Sequence, residues 1–95
     1  MADDVEERSI TAPSQVLIQE LPDQETIFLN LTTEEYFGLN SVGTAMYHAL
    51  VDCGNFEAAC RRLESEFDVA SERLRRDLHG LMTTLVARGL LEHSG

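Results

Sequence analysis

The chain has 95 residues, which is one small domain with room for a single core and none for a deep cleft between lobes. Its 43% hydrophobic and 25% charged residues make a soluble globular composition rather than a disordered one. Seven arginines, no lysine and 17 acids give a net charge of −10, which disfavours nucleic-acid backbones and anionic lipid, and the missing lysine removes Schiff-base and phosphate-loop chemistry.

Residues 1–12 are polar and aperiodic and read as a flexible acidic tail, with the domain proper over 13–95. The N-terminus is acidic where a signal peptide would be basic, no apolar run reaches the ~20 residues of a membrane span, and a cytoplasmic protein is expected. Gln15–Leu21 is a strand rich in branched apolar residues, and Pro22-Asp23 turns the chain. Gln24–Leu31 alternates, with Ile27, Leu29 and Leu31 on one face and Thr26, Phe28 and Asn30 on the other. After Thr32-Thr33-Glu34 comes a short third strand, Glu35–Leu39. The tight connections predict an antiparallel meander, which needs a cover on one face to be stable.

Three helices follow. Asn40 or Ser41 caps the first, which runs to about Asp52, with Gly54 suited to a left-handed end. Asn55 caps the second, whose buried stripe is Phe56, Ala59, Cys60, Leu63 and Phe67. Ser71 caps the third, which runs to about Arg88 and stops at Gly89, and Leu90-Leu91 pack back onto the domain. The third helix carries a core stripe, Leu74, Leu78, Leu81 and Leu85, and beside it a second line, Arg75, His79, Met82 and Val86. An apolar arc this wide belongs either to a helix wedged between the other helices and the sheet or to one that lines an open groove. The charge is uneven: residues 1–40 carry −8 and residues 41–95 carry −2.

The chemistry-bearing residues assemble no catalytic pattern. Cys53 and Cys60 stand without further ligands nearby and read as buried free thiols. His48, His79 and His93 are scattered, so no metal site is expected. The paired carboxylates Asp3-Asp4, Glu6-Glu7 and Glu34-Glu35 point to opposite sides of an extended chain and make no dyad. Neither an enzyme nor a cofactor is expected.

Several strings in this order resemble the PqqD-like RiPP recognition elements: Tyr36-Phe37-Gly38-Leu39-Asn40-x-x-Gly43, then Tyr47, then Arg76-Asp77-Leu78, then Ala87-Arg88-Gly89-Leu90-Leu91-Glu92. The resemblance implies an α+β, winged helix-turn-helix-like fold in which a three-stranded antiparallel sheet is followed by three helices. It implies a stand-alone element of a peptide natural-product pathway, with lasso peptides the leading candidate. Such an element captures the leader of a ribosomally made precursor as an added strand and delivers it to a maturation enzyme, such as a leader peptidase or a radical enzyme. Carried over, the strand side of the groove is Glu35, Tyr36, Phe37 and Gly38, and the helix side Arg75, Leu78, His79, Met82, Leu85 and Val86. Asp77 matches a recurrent family position that either faces the groove or stabilises the fold. Thr33-Glu34-Glu35 stands where relatives often have a glycine. The alternative is a winged-helix DNA-binding regulator, for which Arg73, Arg75, Arg76 and Arg88 on the third helix speak, and Glu72, Asp77 and the total charge do not.

Overall fold

The computed structural model describes residues 10–93. β2 (Val16–Glu20), β3 (Thr26–Asn30) and β4 (Glu35–Leu39) form an antiparallel sheet in the order β2-β3-β4. α1 (Ser41–Cys53), α2 (Phe56–Glu66) and α3 (Ser71–Ala87) follow, so the α+β class and the predicted element order hold. Two short strands were not expected: β1 (Ile10–Thr11) pairs antiparallel with β5 (Glu92–His93). Ile10 is 1% exposed, and its N–H donates to the Gly54 carbonyl at 3.0 Å. The end of the expected tail is therefore core, because one branched apolar side chain fills a place over α1 that the sequence around it does not advertise.

In β3 the buried row is Thr26, Phe28 and Asn30, while the more apolar row, Ile27 and Leu29, turns outward. Phe28 is fully buried and meets the Tyr47 ring edge-on at 4.9 Å. The Thr26 hydroxyl bonds the Thr44 hydroxyl at 2.9 Å, which satisfies both buried groups. Burial, then the charges of Asp52 and Glu20, push the Tyr47 phenol above its ordinary pKa. The helices close this layer with Leu50, Leu63, Leu74, Leu78 and Leu85, all essentially inaccessible, and Leu90 and Leu91 join them as expected.

The caps follow local chemistry in two cases of three. Asn40 Oδ1 accepts from the Gly43 N–H at 2.9 Å, and Asn55 Oδ1 from the Ala58 N–H at 2.8 Å. Asn40→Ala should lower stability by about 1 kcal/mol, a fall of roughly 4–8 °C in Tm for a domain of this size, read by thermal circular dichroism. Ser71 departs from expectation: the N-cap is Ala70, and the Ser71 hydroxyl instead donates to Glu64 Oε2 at 2.6 Å. At the other end of α3, the Leu90 N–H bonds the Leu85 carbonyl and the Gly89 N–H bonds the Val86 carbonyl, with Gly89 at φ 75°, so the helix closes in a Schellman motif. Glu34 stands at φ 63° in the β3–β4 turn, a conformation glycine adopts more cheaply.

Candidate functional site

Among the described residues the sheet has two free edges, β2 and β4, and the β4 edge is the one that Arg88, at the end of α3, overhangs. The Leu31 N–H donates to the Gln15 carbonyl at 2.9 Å and the Leu21 N–H to the Glu25 carbonyl at 2.8 Å, so the odd-numbered residues of β3 serve β2. Thr26, Phe28 and Asn30 then serve β4, opposite Leu39, Phe37 and Glu35. Alternation leaves the N–H and C=O of Tyr36 and Gly38 aimed away from the sheet, and no strand among the described residues pairs with them. Side chains alternate too. Glu35, Phe37 and Leu39 share the helix-facing side with Phe28, while Tyr36 and Gly38 face outward. Tyr36 is 70% exposed and stands in a row with Leu29 and Leu17.

Two contacts bring α3 to this margin, and both lie at its C-terminal end. The Arg88 guanidinium sits 5.0 Å above the Phe37 ring. The Asn30 Nδ2 donates to the Arg88 carbonyl at 3.0 Å. At 100° per residue, Asp77, Leu81, Thr84 and Arg88 share one flank of α3, which makes that flank the wall beside β4. Leu81 is half-buried against the core, and Thr84 and Asp77 are exposed. Asp77 lies 3.9 Å from Arg73 one turn away. Leu81, Thr84 and Arg88 did not figure in the groove expected from sequence. The signal that could have found them is their i+4, i+7, i+11 spacing from Asp77.

The structure spreads the expected helix-side residues over two flanks of α3 and the core. Arg75 ion-pairs with Glu57 of α2 and stands 5.5 Å over the Phe56 ring. His79 meets the same ring edge-on at 6.2 Å. Met82 and Val86 line a shallow depression with His79, Thr83, Ala87 and His93 of β5. These four residues therefore occupy the flanks that face α2 and β5, not the flank beside β4. Leu78 and Leu85 are wholly buried and hold the helix to the core. Met82 is 7% exposed, whereas Val86 remains 38% exposed. On the strand side Glu35, Tyr36, Phe37 and Gly38 do sit together at the margin, with Phe37 half-buried and the others exposed.

The electrostatics match the two faces. From residue 10 to residue 40 the described chain carries Glu20, Asp23, Glu25, Glu34 and Glu35 and no Lys or Arg. The hydrogen bond from Arg75, opposed by some burial, holds the Glu57 carboxyl below its ordinary range. Cys53 and Cys60 are free thiols; burial pushes Cys60 up in pKa and keeps it in the neutral form. Among the described residues no group of side chains has metal-ligand geometry, and no helix is long and apolar enough to cross a membrane.

Comparison with known proteins gives consistent results. The family model for coenzyme PQQ synthesis protein D (PqqD) matches residues 25–91. TbiB1, solved in complex with the TbiA(beta) leader peptide, is 27% identical with a TM-score of 0.80, over 90% of this chain and 98% of that one. A lasso peptide synthetase B1, solved with its leader peptide, is 20% identical with a TM-score of 0.77, over 87% of this chain and 96% of that one. No curated protein matches.

Proposed function

The chain belongs to the PqqD family, and from that premise we propose that it binds the leader of a ribosomally synthesised precursor peptide by strand addition to β4 and delivers the precursor to a maturation enzyme, such as a leader peptidase, in a lasso peptide pathway. The observation that carries this reading is the unpaired edge of β4, where the amides and carbonyls of Tyr36 and Gly38 point outward beside a helix. An extended guest satisfies those groups and continues the sheet. Each backbone bond nets only about 0.5–1.5 kcal/mol, so sequence selectivity has to come from side chains. Alternate guest side chains turn toward Phe37, Leu81, Thr84 and Arg88, where one buried apolar anchor adds about 1.5–3 kcal/mol. The others lie outward beside Tyr36. No step in this role makes or breaks a covalent bond.

Three of the four arginines named for the DNA-binding alternative are already engaged, which leaves Arg76 alone on the exposed face. Arg75 is engaged by Glu57, Arg73 lies beside Asp77, and Arg88 lies over Phe37. A polarisation titration with fluorescein-labelled TbiA(beta) leader tests the reading against a labelled DNA duplex. Saturable binding at micromolar concentration or tighter, with no duplex signal at 50 or 200 mM salt, is the expected result. Salt-sensitive duplex binding without peptide binding overturns it.

A further inference from the structure

Asn30 is an anomaly of the core. It sits on the inner face of β3, 4% exposed, in the row that also holds Phe28. Every polar atom of its side chain is used. Oδ1 accepts from the Thr32 N–H at 2.9 Å and the Thr33 N–H at 3.3 Å, and Nδ2 donates to the Arg88 carbonyl at 3.0 Å. Two amide donors on one side and a carbonyl on the other admit only one orientation of the side-chain amide. The first pair of bonds shapes the turn that launches β4, and the Glu34 N–H adds a bond to the Asn30 carbonyl at 2.6 Å. The third bond fixes the end of the helix whose Arg88 side chain covers Phe37, halfway along β4. The approach is tight, since a Cβ on Gly89 would stand 2.8 Å from Asn30 Nδ2.

We infer that Asn30 is a positioning residue for the peptide groove, setting the gap between the β4 edge and the Asp77–Arg88 flank of α3 while touching no guest itself. One buried amide holds both walls, so their separation does not depend on the flexible side chains that line them. A hydrophobic residue of similar volume would fill the space as well, but would leave the turn amides and the Arg88 carbonyl without partners. The inference rests on the leader-binding reading of this edge.

The variant Asn30→Asp separates the two halves of the device. Its carboxylate still accepts from Thr32 and Thr33, but it has no donor for the Arg88 carbonyl and sets negative charge against it. Leader affinity is measured by polarisation at a temperature where circular dichroism shows wild type and variant fully folded. There a purely structural role leaves Kd unchanged, because apparent affinity falls only with the fraction of competent molecules. The expected result is a Kd raised roughly tenfold. If Asn30→Asp does not fold, the neutral Asn30→Ser, which keeps one acceptor for the turn, takes its place with the same expectation. A Kd within twofold of wild type overturns the inference. Failure of wild type to bind any leader overturns the leader-binding reading instead.

Discussion

Gly38→Pro should abolish leader capture while the hairpin stays paired. The Gly38 N–H faces away from β3, so proline removes no bond of the β3–β4 ladder. The ring takes away one of the donors a guest strand needs and projects into the lane it would occupy. The lost bond and the orphaned guest carbonyl together cost about 2–4 kcal/mol, on the order of a hundredfold in Kd. Gly38→Ala is the control: its Cβ would meet Ile27 Cδ1 at 3.4 Å, an ordinary contact, and binding should survive. The measurement is a polarisation titration beside a thermal melt. A folded proline variant that binds as wild type does would move the guest away from β4, and the depression beside His79 and His93 would become the place to look.

The largest effect on stability is expected at Phe28. Its ring is fully buried, packs edge-on against Tyr47, and joins the sheet to α1. Truncation to alanine leaves a cavity that rigid neighbours on both layers cannot fill, at a cost of about 3–5 kcal/mol. A domain of this size has only about 5–14 kcal/mol in all. Urea denaturation should therefore show the midpoint of Phe28→Ala lowered by at least about a fifth of the wild-type value, with the slope unchanged. A midpoint within a tenth of wild type would mean that the sheet is not held to α1 through this ring.

What could be read from the sequence is what short-range chemistry decides. The meander follows from tight connections between apolar runs, and Asn40, Asn55 and Gly54 mark helix ends because each acts on backbone groups within four residues. The glycine missing from the β3–β4 turn was visible, and Glu34 carries the left-handed conformation in its place. The rotation of α3 about its own axis was not legible. It is fixed by Asn30 with Arg88, 58 residues apart in sequence, and by Glu57 with Arg75, 18 apart. Met82 and Val86 are more apolar than Thr84 and Arg88, so hydropathy points to the flank that faces β5 rather than to the one beside β4. The same holds for β3, where Ile27 and Leu29 outrank Thr26 and Asn30 in hydropathy yet face outward, because the buried hydroxyl and amide each find a partner. Ile10 was lost to the tail because a two-residue strand has no period to detect.

A bare strand margin is a template for fibres, since a second copy can pair with it as readily as a guest. Here that outcome is opposed by the carboxylates of residues 10–40, which include no Lys or Arg, with Arg88 over Phe37 the cation beside the margin. Identical molecules approaching margin to margin crowd like charges together before a single amide bond forms, whereas a short peptide of other composition meets no such barrier. The repulsion reaches about 10 Å at 0.1 M salt and shrinks to about 3 Å at 1 M, so the protection against self-polymerisation is itself a function of ionic strength.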